Sequence, residues 1–171
     1  VDLHLKGMRA LGVELDLDEG YIVADGRHLR GGEMYRGCPF GSTVTGKANV
    51  LMAAVLAEGT TLIDMAACEP EVQDLANFLN AMGADIRGIG TPTLEIHGVA
   101  ELHGATYRPV PDRIEAGTFL CAAAITGGQV TVKKCRPDHL RALTERLQAV
   151  GCRIQTGPDW ISCARRGHMT A

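Results

Sequence analysis

The chain has 171 residues, of which 46% are hydrophobic, 4% aromatic and 22% charged, and its 20 acidic and 17 basic groups leave a net charge of −3. That length suits one ordinary domain or parts of two, and the apolar share excludes disorder as the default. The slight acidic excess argues against a nucleic-acid footprint, and no apolar run approaches the ~18 residues of a membrane span.

The opening stretch Val1–Gly12 lacks the basic flank and long apolar run of a secretory signal, and no initiator Met precedes it. The chain is therefore expected to begin inside a longer protein. Val13–Leu17 alternates apolar and acidic residues, the pattern of a half-buried strand. Tyr21–Ala24 is followed by Asp25-Gly26 and Arg27–Leu29, which predicts a hairpin turning at Asp25-Gly26.

Ala48–Ala57 is apolar almost all round and predicts a helix buried on every side. Gly59 is suited to the left-handed cap that ends it. Thr60–Ile63 reads as a short strand. Glu69-Pro70-Glu71 then opens a second helix, with Pro in the first turn and acids at the positive dipole end. Val72, Leu75, Ala76, Leu79 and Met82 give it one apolar stripe, and Gly83 closes it. Ala84–Ile86 and Leu94–Ile96 read as strands, with the Gly88–Thr93 loop between them.

The pattern then returns. Ala122–Val132 matches Ala53–Ile63, Cys135–Asp138 matches Cys68–Glu71, and Val150–Ile154 matches Met82–Ile86, at offsets of 69, 67 and 68 residues. Leu11–Leu15 matches Met82–Ile86 at an offset of 71. A near-constant shift across several elements marks an internal repeat. Each unit reads helix, strand, helix, strand, strand. Its apolar first helix implies helices packed inside and sheets outside. The chain holds the tail of one unit, one whole unit and most of another, again the expectation for a fragment.

Six cysteines, Cys38, Cys68, Cys121, Cys135, Cys152 and Cys163, are widely spaced and form no C-x-x-C pair. Reduced thiols, mostly in the core, are expected, and a zinc site is not. Gly41–Ala48 nearly spells a phosphate-binding P-loop, but Ala48 lacks the hydroxyl that would hold magnesium. The competing reading is a polar turn in which Thr43 or Thr45 caps the buried helix. Glycines entering a helix N-terminus can also hold a phosphate-bearing ligand. Asp112-Arg113-Ile114-Glu115 is either a capping box or a charged cluster facing a ligand. Glu69 and Glu71 serve either the helix dipole or acid–base chemistry.

Three runs, Gly41–Thr61, Ala67–Leu79 and Val110–Phe119, resemble the enolpyruvyl transferases, and specifically the UDP-N-acetylglucosamine 1-carboxyvinyltransferase family. The likeness extends through nearly the whole chain and covers roughly two fifths of such an enzyme, its central part. It implies an α+β fold of repeated βαβαββ units, an inside-out α/β barrel left incomplete in this chain. Residues 1–110 would form part of the domain that carries the UDP-sugar site and catalytic loop, and 111–171 the start of the other domain. The implied reaction moves the enolpyruvyl group of phosphoenolpyruvate to the 3-hydroxyl of UDP-N-acetylglucosamine and releases phosphate, the first committed step of peptidoglycan synthesis. It takes place in the cytoplasm and needs no cofactor or metal.

By the same resemblance, Val1, Asp2, Leu3 and His4 line the UDP-sugar site, and Gly37, Cys38, Pro39, Phe40 and Gly41 lie on the loop that holds the uridine diphosphate. Pro39 departs from the family's common serine and Ala48 from its glutamate, while Asn49 is kept. Glu69, Asp112, Arg113 and Glu115 would line the interdomain cleft. The family's catalytic cysteine falls before Val1, so none of the six cysteines has that role, and the chain alone is expected to be inactive. It is also expected to self-associate through its cut faces. The alternatives are a non-catalytic binding or assembly protein on the same repeat scaffold and, behind it, a P-loop nucleotidase.

Overall fold

The computed structural model describes residues 2–34, 44–165 and 167. The chain divides into two compact units, Val1–Pro109 and Val110–Ala171, each with its own core.

The first unit begins with helix α1 (Asp2–Ala10) and the hairpin β1 (Glu14–Asp18) and β2 (Tyr21–Asp25). The hairpin turns at Glu19-Gly20, where φ is 46° and 86°, and not at Asp25-Gly26. Both central residues take the positive φ that a tight two-residue turn demands. The Asp25 carboxylate instead accepts hydrogen bonds from Arg27 N at 3.1 Å and Arg27 Nε at 2.9 Å, which folds the chain out of the strand. Arg27–Leu29 therefore forms no strand.

Next come β3 (Glu33–Met34), α2 (Val44–Ala54), β4 (Thr60–Asp64), α3 (Pro70–Ala81), β5 (Asp85–Arg87) and β6 (Thr93–His97). β3 runs parallel to β4, while β4 and β5 both pair antiparallel to β6, giving the order β3-β4-β6-β5. β4 and β6 each bury alternate residues, so one face of the sheet lies on the core. That core gathers Leu51, Val55, Ile63, Leu79, Ile86 and Ile96.

The second unit repeats this plan with α4 (Arg113–Thr126), β7 (Gln129–Lys133), α5 (Arg141–Ala149), β8 (Cys152–Thr156) and β9 (Trp160–Arg165). A 3-10 turn at Pro137–Leu140 precedes α5, where the first unit has one continuous helix. The sheet order is β7-β9-β8, with the last strand again in the middle. The inferred repeat is thus a repeat of structure. The helix exit at Gly12, Gly83 and Gly151 takes φ of 86°, 99° and 98°, a left-handed step that glycine accepts without strain. Met65 and Lys134, just after β4 and β7, also take positive φ, at 53° and 55°.

α3 begins as its sequence predicts, with Glu69 at the N-cap and Pro70 in the first turn, and it buries Val72, Ala76 and Leu79. The apolar helix expected over Ala48–Ala57 starts earlier and stops at Ala54. It is not buried on every side, since Met52 remains 45% exposed and Leu56, just past its end, 48%. α4 likewise leaves Ile114, Phe119 and Ile125 exposed. α2 packs against α1, α3 and β6, and α4 against β7, β9 and α5, while the apolar side chains just named stay exposed beside those contacts. Of the five cysteines described, Cys135, Cys152 and Cys163 are buried, Cys121 is half-buried and Cys68 is exposed.

Candidate functional site at the first turns of three helices

Among the residues that the resemblance assigns to the UDP-sugar site, Asp2, Leu3 and His4 form the first turn of α1, and Val1 and Gly37–Gly41 lie outside the described residues. His4 joins α1 to α2. Its Nε2 lies 3.3 Å from Thr45 Oγ1 and its Nδ1 2.8 Å from Asn49 Nδ2. Thr45 and Asn49 are four residues apart and so present both groups on one face of α2. One turn further along, a Cβ on Gly7 would clash with Val50 Cγ2. His4 meets Thr45 and Asn49 while Gly7 meets Val50, so α1 and α2 run side by side in the same direction.

Thr45 is the second residue of α2, and its hydroxyl meets His4. It does not act as the helix cap expected of it, and Thr43 lies outside the described residues. The nearly P-loop Lys47 stands in the first turn of α2, turned away from the face that carries Thr45 and Asn49. Burial pushes its ammonium pKa down, against the opposing pull of the Glu69 carboxylate and the Cys68 sulfur. This coupling brings the N-cap of α3 to the other side of α2. Glu69 has extended backbone angles and makes no side-chain cap bond. Its Oε2 is buried and has no hydrogen-bond partner among the described residues. At the N-cap the carboxylate stands at the positive end of the α3 dipole without making a cap bond.

The first turns of α1, α2 and α3 therefore gather around Thr45 and Lys47. Each helix N-terminus carries a partial positive charge of about half a unit. Lys47 adds a cation. Such a convergence suits a ligand with several negative charges, above all one bearing phosphates. The sequence marked Thr45 only as a possible cap and Asn49 only as a polar break in an apolar run, not as partners of His4. Their spacing of four was the available signal.

In the second unit Asp112 is the N-cap of α4, and its Oδ1 accepts from Ile114 N at 2.7 Å and Glu115 N at 3.1 Å. The capping reading of Asp112 holds. Arg113 is half-buried and Glu115 exposed in the first turn of that helix.

A groove of about 450 Å³ lies beyond the other end of α2, lined by Arg27, His28, Arg30, Glu58, Gly98 and neighbouring residues. None of the residues assigned to a site from sequence lines it. Its arginines are exposed, and Arg27 is already paired with Asp25. The convergent helix ends are the better candidate site.

Known proteins with related chains fit this architecture. The family profile described as EPSP synthase (3-phosphoshikimate 1-carboxyvinyltransferase) matches residues 1–170. The UDP-N-acetylglucosamine 1-carboxyvinyltransferase of Dichelobacter nodosus is 55% identical over 171 residues, all of this chain and 40% of that protein. The enzyme of the same name from Coxiella burnetii is 52% identical over 169 residues, 98% of this chain and 38% of its own length. The chain thus spans about two fifths of the curated relatives that it matches. Among solved structures, the enolpyruvyl transferase NikO from Streptomyces tendae superposes with a TM-score of 0.81 at 23% identity, over 95% of this chain and 41% of that one. EPSP synthase from Acinetobacter baumannii superposes with a TM-score of 0.62 at 20% identity, over 99% and 41%. These two likenesses concern the fold. With its α+β repeats and a profile match running from end to end, the chain belongs to the EPSP synthase (3-phosphoshikimate 1-carboxyvinyltransferase) family.

Proposed function

We propose that this chain supplies the central two fifths of an enzyme that transfers the enolpyruvyl group of phosphoenolpyruvate to the 3-hydroxyl of UDP-N-acetylglucosamine. The gathering of three helix N-terminal turns around Thr45 and Lys47 carries the reading. Both substrates are polyanions. Fixed backbone N–H groups and a half-buried ammonium suit a diphosphate and stay in place as charge moves during the reaction. The names of relatives at 52% and 55% identity support the nucleotide sugar as acceptor over a shikimate phosphate.

In the reaction the acceptor hydroxyl adds across the double bond of phosphoenolpyruvate, its oxygen to C2 and a proton to C3. Loss of inorganic phosphate from C2 and a proton from C3 then restores the double bond, now as an enol ether. Asp2, Leu3 and His4 belong to the sugar-nucleotide side of the site, together with the loop Gly37–Gly41. Glu69, Arg113 and Glu115 are proposed to face substrate, while Asp112 caps its helix. The setting is the cytoplasm and the first committed step of peptidoglycan synthesis. Turnover belongs to the longer protein. Among the described residues no helix is long and apolar enough to cross a membrane.

Calorimetric titration tests the reading. The chain is expected to bind UDP-N-acetylglucosamine and, more weakly, UDP, and not shikimate 3-phosphate. Binding of the shikimate phosphate in preference to the nucleotide sugar would overturn the acceptor assignment. Phosphate release from phosphoenolpyruvate and UDP-N-acetylglucosamine is expected to stay at the no-protein background. Release above it would show that this chain is itself an enzyme.

A further inference from the structure

His4 has both ring nitrogens occupied by α2, with Asn49 Nδ2 at 2.8 Å from Nδ1 and Thr45 Oγ1 at 3.3 Å from Nε2. An amide NH2 can only donate, so Nδ1 must accept and carries no proton. A neutral ring then has its proton on Nε2, aimed at the Thr45 hydroxyl oxygen. One donor and one acceptor on the same face of α2 read the two ends of the imidazole and admit one of its two tautomers. Gly7 keeps the helices close enough for both contacts, since any side chain there would meet Val50.

We infer that Asn49 and Thr45 are positioning residues that hold neutral His4 in its Nε2–H tautomer and thereby fix the first turn of α1 beside the ligand. The inference rests on the UDP-sugar reading for the identity of that ligand. His4 then acts by tying α1 to α2. Neither ring nitrogen is left to bond the nucleotide sugar or to move a proton, and the ligand meets the first turn of α1 through groups other than the imidazole nitrogens. Asn49 and Thr45 touch no reacting atom. Their effect passes through His4, and it falls on the affinity of the sugar nucleotide while the chemical step is left alone.

Imidazole nitrogen spectra of the full chain, labelled with 15N at histidine, read the tautomer directly. Wild-type His4 is expected to show a protonated Nε2 and a bare Nδ1, unchanged on saturation with UDP-N-acetylglucosamine. Asn49→Asp replaces the donor with an acceptor of the same shape and is expected to move the proton to Nδ1 or protonate both nitrogens. Thr45→Val should broaden the Nε2 signal, and Thr45→Ser should restore it. The dissociation constant for UDP-N-acetylglucosamine is expected to rise about tenfold in Asn49→Asp and Thr45→Val, the size of one lost positioning hydrogen bond, and to recover in Thr45→Ser. Near-ultraviolet circular dichroism identifies any variant that fails to fold, and Thr45→Ser, the mildest change, keeps the test alive if Asn49→Asp does.

An Nδ1–H wild-type ring, a ring signal that moves on adding the nucleotide sugar, or unchanged affinity in both variants overturns the inference. A correct tautomer in a chain to which no nucleotide sugar binds instead overturns the UDP-sugar reading, and the positioning role falls with it.

Discussion

Asn80 and Ile86 are joined by two hydrogen bonds, Asn80 Nδ2 to Ile86 O at 2.9 Å and Ile86 N to Asn80 Oδ1 at 2.9 Å. The side-chain amide imitates a strand neighbour and ties the last turn of α3 to the first residues of β5. Asn80→Ala removes both bonds and leaves two backbone groups of a buried residue to find water. A loss of about 2 kcal/mol in unfolding free energy is expected, measured by urea denaturation. Asn80→Asp keeps the acceptor alone and should fall between the two.

Gly7 against Val50 makes a steric prediction. Gly7→Ala gains about 1 kcal/mol of helix propensity but forces a methyl group against a buried, stiff valine. Overpacking of this kind costs about 1–3 kcal/mol, so a net loss is expected. The loss should shrink in a Val50→Ala background, and a double-mutant cycle of urea midpoints measures that coupling.

Met65 and Lys134 hold φ of 53° and 55°, which costs a residue with a Cβ about 1–2 kcal/mol. Both are exposed, so little packing is lost on truncation. Met65→Gly and Lys134→Gly are each expected to stabilise by about 0.5 kcal/mol once the larger chain entropy of unfolded glycine is subtracted. Thermal melts of the two variants test this, and a fall in Tm in both would mean that the left-handed step carries no strain.

Burial pushes the Cys163 thiol up to about 11, and the neighbouring Cys152 adds to the rise. The unfolded thiol ionises near pH 9 while the folded one keeps its proton, so the stability it contributes is present below pH 9 and lost as pH rises toward 11. Urea midpoints should fall across that window, and the fall should be smaller in Cys163→Ala. At neutral pH a thiol reagent should modify exposed Cys68 first, Cys121 more slowly, and Cys163 only on unfolding.

Ile114, Phe119 and Ile125 on α4 and Met52 on α2 stay exposed in helices with few polar residues. Exposed apolar side chains on such helices favour association. Sedimentation velocity is expected to show species larger than the 18.2 kDa monomer that grow with concentration. Phe119→Glu with Ile125→Glu should shift the distribution toward the monomer.

Much of this fold could be read from the residue order, because the repeat rests on local signals. Glu69-Pro70, Gly83 and Gly151 mark where helices start and stop, and the structure puts those boundaries where the residues imply. Local signals also mislead. Glu19-Gly20 and Asp25-Gly26 are both suited to a turn, and the choice falls to the pairing of Glu14–Asp18 with Tyr21–Asp25. α1 gave no signal, since a glycine in its middle and a mostly polar surface conceal a helix held by its neighbour. The site is less legible still. His4 meets partners 41 and 45 residues away, and no spacing within α1 announces them. The left-handed Met65 and Lys134 are equally silent, as neither residue type favours that conformation.

In the largest sheet of each unit the last strand lies between two earlier ones, β6 between β4 and β5 and β9 between β7 and β8. During synthesis the chain leaves the ribosome with β4 and β5, or β7 and β8, already made but one strand-width apart, with nothing to bond across the gap. Neither sheet can close until its final strand, ending at His97 or Arg165, has cleared the exit tunnel. Each unit must therefore wait as an open, helix-bearing intermediate, and a pause in translation just before either strand would leave the nascent chain most exposed to chaperones and proteases.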